Sequence, residues 1–346
     1  MQRFGILLPV SVLALLLAAT PVLACGGLIG PNGAVNLLRT TTLAGYHDGV
    51  EHYVTAFQFA GGGGAFGSIT PLPDVPTSVV KGGDWTLQRL IRETDPPTPQ
   101  AVSLDAASAA GGAEELMKVK IDALDLTVLR GGAADIGAWA KSHGFRLPPD
   151  APEVLDFYAN RSPIFLAAAF DADAAAARGQ QLGDGTPVHI TIPTDNPWVP
   201  LRILALGKSA AEQVQADVYL LTDDTPALLP KPLGVNGIRL DHSASASDSL
   251  LTDLRSDRGM GWVPSKGWLT KIAVDGPAAD LTYDLAIDVS GAGAPSAVDA
   301  GFALPSLDAV GQAVDPGRFV LAIGFALMGI AGIWLVARAR PGATLR

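Results

Sequence analysis

The sequence contains a single cysteine, Cys25, among its 346 residues. One cysteine cannot form a disulfide within a chain, so the small disulfide-stapled class of secreted domain is excluded. The fold must therefore be held by an apolar core, and a chain of this length can bury one.

Basic residues are also scarce. The chain has 24 lysines and arginines against 34 acidic residues, a net charge of −10, and every acidic residue lies within 25–317. Such a surface repels the phosphates of nucleic acids, so we expect no nucleic-acid partner.

Recognisable catalytic motifs are missing as well: the sequence has no G-x-S-x-G elbow, P-loop, H-E-x-x-H or EF-hand loop. Gly62, Gly64 and Gly67 match the spacing of a dinucleotide-binding loop. The prolines of the following SITPLPDVP exclude the helix that such a loop must begin. We therefore predict no catalytic residues and no cofactor, and we favour a non-enzymatic protein. The alternative is a membrane-tethered hydrolase or metal-dependent enzyme whose site is assembled in space.

Charge is absent from residues 319–337, FVLAIGFALMGIAGIWLVA. As a helix these residues would extend about 28 Å, which is the thickness of one bilayer core. Arg338, Arg340 and Arg346 follow, and positive residues stay on the cytoplasmic side. We predict a transmembrane helix over 318–337 with the lipid bilayer as its partner, and a cytoplasmic tail over 338–346.

The first 24 residues have the layout of a secretory signal peptide: Arg3, an apolar run over 4–17, then small residues up to Ala24. A retained membrane helix is the alternative. VLAC resembles a lipobox with Cys25 as the lipid-bearing residue, while VLA suits ordinary signal peptidase, and both remain open. With the other end, this predicts a single-pass plasma-membrane protein whose N-terminal domain is outside and whose C-terminus is cytoplasmic.

The sequence between these ends predicts a β-rich α+β domain over 25–290, with a possible division near 100–113 and a stalk over 291–317. PVHITIP, LRILALG and DLTYDLAIDVSG are predicted strands, the last with Asp284 facing solvent. GGDWTLQRLIRE is a predicted short helix with Asp84 as its N-cap. Trp198, Trp262 and Trp268 are either exposed stacking platforms for sugars or peptides, or caps of a core edge.

The stretch GYHDGVEHYV predicts a hairpin that turns at Asp-Gly. Its register pairs His47 with Val50 and Gly45 with His52, which places the two histidines on one face, about 7–8 Å apart. One zinc ion would bridge them, but the sequence supplies no further ligand at a recognisable spacing. His47 and His52 are therefore weak metal candidates, and a turn with polar strand residues is the preferred interpretation.

Several longer stretches resemble a bacterial family of exported proteins catalogued as a domain of unknown function, number 2330. They are ACGG, YHDGVEHYV, FGSITPLPDVP, LTVLRGGAADIGAWAKSHGFRLP and DFYANRSPIFLAAAFD. The resemblance implies an exported, often membrane-tethered module and assigns no catalytic residue. We therefore expect a cell-surface module that binds or has a structural role in the envelope, with an envelope polymer or protein as its partner.

Overall fold

The structure of the chain is a computed structural model that describes residues 27–30, 33–34, 40–56, 66–95, 114–171 and 186–302. The predicted signal peptide, Cys25, the division near 100–113, the predicted membrane helix and the tail lie outside these residues. None of the helices in the described ranges is long and apolar enough to span a membrane.

The described residues form a β-rich α+β fold with four short helices, which confirms the predicted fold class of the body. The helices are α1 (Thr86–Thr94), α2 (Ala133–Ser142), α3 (Ala151–Ala159) and α4 (Asp248–Ser256). The strands are β1 (Gly27–Gly30), β2 (Gly33–Ala34), β3 (Thr40–His47), β4 (Val50–Ala56), β5 (Phe66–Leu72), β6 (Ser78–Lys81), β7 (Glu114–Ile121), β8 (Leu124–Arg130), β9 (Ile164–Phe170), β10 (Val188–Pro193), β11 (Trp198–Val199), β12 (Gln213–Thr222), β13 (Ala227–Leu229), β14 (Ile238–Ser245), β15 (Trp268–Pro277) and β16 (Leu285–Asp288).

These strands form three sheets. The largest has the order β14-β15-β12-β3-β4-β10-β6, and the second has the order β2-β1-β5-β9-β8-β7. A small sheet, β11-β16-β13, completes the set. Every pairing is antiparallel except that of β12 with β3. Successive side chains of a strand point to opposite faces of its sheet, so this alternation decides which residues meet.

The two faces of the seven-stranded sheet pack against different partners. One face contributes residues such as Ala44, Tyr53 and Ile190 to a large core shared with the six-stranded sheet, α2 and α3. The other face contributes Leu43 and Val54 to a smaller core under α1, α4 and the segment 257–267. Successive residues along β3, and likewise along β4, therefore face the large core and the smaller core in turn.

The predicted hairpin is confirmed in its register. His47 pairs with Val50, and Gly45 pairs with His52. Asp48 and Gly49 both have positive φ, 50° and 78°, as a two-residue turn of this kind requires. In β10, Val188, Ile190 and Ile192 are buried on one face, as their alternation predicts.

Two predicted strands are wrong, and both corrections involve Asp284. Residues 202–205 of LRILALG form a 3-10 helix, and DLTYDLAIDVSG is a strand only over Leu285–Asp288. Asp284 is fully buried rather than solvent-facing. Its Oδ1 accepts hydrogen bonds from the amides of Leu201 and Arg202, at 2.7 and 3.0 Å. The hydrogen bonds of these two amides are thus accepted by a side chain instead of by a neighbouring strand.

The end of the described chain lies against the domain. Residues 291–302 were assigned to the stalk, yet Ala300 is fully buried and accepts a hydrogen bond from the Asp284 amide. A Cβ at Gly301 would lie 2.1 Å from the ring of Phe157, so the backbone passes directly over that ring. The Phe302 ring stacks on Tyr283, with centroids 6.2 Å apart.

Candidate functional site

Strand β4 carries polar side chains into both faces of the large sheet. His52 points to the face covered by α1 and α4, because it lies two residues from buried Val54 on the same strand and so shares its face. Glu51 points to the opposite face, beside its cross-strand neighbour Tyr46.

On the helix-covered face, His52 contacts a second histidine that sequence spacing did not pair with it. His52 Nδ1 lies 3.0 Å from Nε2 of His189, which stands opposite Val54 on β10. Trp262 stacks on His52 with the ring planes 1° apart and the centroids at 4.0 Å. A Cβ at Gly45 would lie 2.0 Å from that indole, so the absence of a side chain there makes room for Trp262.

Both imidazoles of this contact are held in the neutral form. Burial lowers the pKa of His52 to about 3, with further contributions from His189 and His47, and burial lowers that of His189 to about 4. One ring therefore donates to the other through a single N–H. His189 Nδ1 is buried and has no hydrogen-bond partner among the residues that the structure describes, and a Cβ at Gly259 would lie 3.1 Å from it.

The structure places His47 and His52 on one face, but each has a different partner. His47 Nδ1 lies 2.8 Å from Asp223 Oδ1, while His52 pairs with His189. No three histidine, cysteine, aspartate or glutamate side chains in the described ranges are placed to hold one metal ion. The metal assignment of His47 and His52 stays a prediction.

On the other face, Glu51 is fully buried, and neither carboxyl oxygen has a hydrogen-bond partner among the described residues. Burial raises the pKa of Glu51 to about 8, and the nearby Trp198 amide opposes only part of that rise. The pKa of Tyr46 is also raised, by burial and then by the negative charges of Asp195 and Glu51. Both the Glu51 carboxyl group and the Tyr46 hydroxyl group are therefore protonated at neutral pH.

Tyr46 connects this face to a cleft of about 460 Å³. The cleft walls come from the segments 195–197, 286–290 and 294–296, together with Tyr46 and Asp299. Asp195 and Asp299 line it, and neither carboxylate has an ion-pair partner within the described part of the chain. The third carboxylate, Asp288, accepts hydrogen bonds from its own loop, including the Ala294 amide at 2.9 Å. We call this feature the acidic cleft.

A buried ion pair supports the wall of the acidic cleft. Arg161 pairs with Asp284 and also donates to the carbonyl oxygen of Asp299. The Tyr158 hydroxyl donates to Asp284 Oδ1 at 2.8 Å and accepts from the Ile203 amide at 2.8 Å. Burial raises the pKa of Asp284, and Arg161 opposes that rise. Without a neighbouring charge, the cost of burying either group would be several kcal/mol.

Sequence reasoning missed most of these groups. His189 lies in the predicted strand PVHITIP and Glu51 in the predicted hairpin, but no spacing in the sequence pairs His189 with His52 or marks Glu51 as buried. The alternation of its neighbours predicts that Asp284 faces solvent, and that prediction is wrong. Trp198 is 2% exposed beneath the Arg161 guanidinium, so it belongs to the core edge and is no exposed platform. The sequence did contain one indication of the buried Arg161: in DFYANRSP an arginine follows two aromatic residues.

Comparison with known proteins gives a family match and a distant structural likeness. The model of the family described as "Uncharacterized protein conserved in bacteria (DUF2330)" matches residues 21–228. No functionally curated protein matches the chain. Among solved structures, that of baculovirus P35 is similar over 74% of this chain and 97% of that chain, at 10% identity and a TM-score of 0.40. A likeness this distant carries no functional argument.

Proposed function

The chain belongs to the DUF2330 family of uncharacterized bacterial proteins. From the sequence of its two ends and from the acidic cleft, we propose that it is an exported surface module that binds a ligand outside the plasma membrane. Residues 1–24 direct export, and residues 319–337 hold the protein in the bilayer, with the C-terminus in the cytoplasm. The acidic body over 25–317 then faces the envelope, where a polymer or protein is available to bind.

The observation that carries this proposal is the acidic cleft. It is a concave site into which polar groups from several segments converge, and such groups fix the orientation of a ligand. Asp195 and Asp299 bring into it carboxylates that have no ion-pair partner in the described part of the chain, and Tyr46 and Asn196 add hydrogen-bonding groups. A cleft of this charge favours a cationic group, such as the amine of a lysine-bearing peptide or polymer, and disfavours phosphates.

Titration calorimetry with trilysine, on the full-length protein in detergent at low salt, tests the cleft. We expect binding that weakens as salt is added, because the contact is largely electrostatic. The double variant Asp195→Asn and Asp299→Asn should bind about two- to thirtyfold more weakly, since each pair at a partly exposed site contributes about 0.2–1 kcal/mol.

Asp74→Asn provides the matched control, because it removes an exposed carboxylate outside the cleft. It should leave trilysine binding unchanged. If the control weakens binding as much as the double variant does, trilysine is attracted by net charge alone and the acidic cleft is not the site.

The tethered hydrolase remains a second prediction without an observation that favours it over binding. The contacting histidines His52 and His189 are the groups on which it would depend.

A further inference from the structure

Two apolar side chains project into solvent from the loop between β13 and β14. Leu233 is 70% exposed and Val235 is 84% exposed, more than any other large apolar residue in the described ranges. We call residues 230–237, PKPLGVNG, the apolar loop. Side chains this exposed do not line a groove, so they are not placed to receive an extended peptide.

The apolar loop is held in this shape by its own hydrogen bonds. The Gly234 amide donates to the Ile238 carbonyl at 2.8 Å, and Gly234 has a φ of +80° that favours glycine. The Asn236 side chain donates to the Lys231 carbonyl at 3.2 Å, and the Tyr283 hydroxyl donates to the Asn236 carbonyl. The exposure of the two apolar side chains is therefore a built feature of the fold rather than fraying.

The apolar loop also lies beside the end of the described chain. Tyr283, which bonds to the loop, is the residue on which Phe302 stacks, and Phe302 is itself 41% exposed. Residues 303–318 follow, and the uncharged segment 319–337 comes next. A chain of that length spans at most about 58 Å when fully extended. A bilayer that holds 319–337 is thus within reach of this part of the domain.

We propose that the apolar loop inserts Leu233 and Val235 into the outer surface of the bilayer that anchors the chain, as a second membrane contact. Lys231 supplies an exposed ammonium group beside the apolar tip, where lipid phosphates would lie. Apolar side chains with an adjacent lysine are the usual composition of interfacial membrane contacts. This inference rests on the proposed membrane anchor.

Quenching of a site-specific fluorophore by labelled lipid measures this contact. Full-length protein in a Cys25→Ser background is labelled with NBD at Val235→Cys and reconstituted in nanodiscs of anionic phosphatidylglycerol lipid, with and without doxyl-labelled lipid. Leu233→Cys is the second labelled variant. Val80→Cys is the matched control, because Val80 is 44% exposed on β6, at the opposite edge of the large sheet from β14.

We expect doxyl lipid to quench the label at 233 and 235 at least twofold more than the label at 80. Equal quenching at all three positions overturns the proposal, and so does cross-linking between two copies at 235 without lipid quenching. If the chain fails to enter nanodiscs, the anchor is refuted separately. The labelled protein is then mixed with preformed anionic vesicles, where quenching at 233 and 235 supports the loop contact and its absence refutes it.

Discussion

Glu51 illustrates the free-energy cost of burying a single carboxyl group in the sheet. An ionised carboxyl without hydrogen bonds is strongly disfavoured in a protein interior, so the group keeps its proton instead. Its neighbours offer little help, because Tyr46 directs its hydroxyl to the Thr194 carbonyl at 2.9 Å. Glu51 is therefore a neutral carboxylic acid on the face of the sheet from which Tyr46 reaches the acidic cleft.

The pH dependence of stability follows from this burial. The pKa of Glu51 is about 8 in the folded chain and near 4.5 when unfolded. Between these values the unfolded chain binds fewer protons, so the free energy of unfolding falls as pH rises, by up to about 1.4 kcal/mol per pH unit. Glu51→Gln removes this loss. Its stability relative to the wild-type protein should increase from pH 5 to pH 8 in urea denaturation.

Glu153→Gln, which removes a 77% exposed carboxylate together with its ion pair to Arg202, is the control: its stability difference from the wild-type protein should not change from pH 5 to pH 8. A stability difference between Glu51→Gln and wild type that stays constant from pH 5 to pH 8 would show that Glu51 ionises normally in the folded protein.

Among the elements, helix α1 illustrates what local sequence reveals and what it hides. The helix was predicted in GGDWTLQRLIRE from its apolar spacing, but its N-cap position is Trp85 and Asp84 does not cap it. The cap comes from Asp257, whose carboxylate accepts from the amides of Trp85 and Thr86 at 3.1 and 2.8 Å. Burial alone would raise the pKa of Asp257, yet the hydrogen bonds from Thr86 and the backbone lower it overall. A Cβ at Gly83 would lie 2.1 Å from that carboxylate.

Removing this long-range cap should destabilise the protein. Asp257→Ala leaves several amide donors at the start of α1 without an acceptor, so we expect a loss of about 2–4 kcal/mol in the free energy of unfolding. Asp84→Ala should cost less than about 0.5 kcal/mol, because its carboxylate makes only an exposed contact with Arg258. Urea denaturation of both variants measures the difference. Equal losses would assign the cap to Asp84 after all.

The limit of sequence reasoning in this fold is set by contacts between distant segments. The register of the hairpin in GYHDGVEHYV was predictable to the residue, because Asp48-Gly49 fixes the turn and the turn fixes the register. The 3-10 helix at 202–205 was not, because its donors depend on Asp284 and on Tyr158 from α3. The same reason hid the His52–His189 contact, which joins residues 137 positions apart.

At the scale of the whole molecule, the proposed function depends on two terminal segments that the sequence predicts to be a signal peptide and a membrane helix. The family match covers residues 21–228, so it includes most of both large sheets but not β14, β15 or the apolar loop. The acidic cleft and the apolar loop are different surfaces, one suited to a cationic ligand and the other to lipid. Both proposals require the body to lie outside the plasma membrane.

Protease accessibility tests that requirement most directly. The chain is expressed with a C-terminal epitope tag, and protease is added to osmotically stabilised spheroplasts while a cytoplasmic protein monitors lysis. The account predicts that the body over 27–302 is digested and that a short tagged fragment containing 319–346 remains in the membrane. A full-length tagged chain that survives until the spheroplasts are lysed would contradict the account.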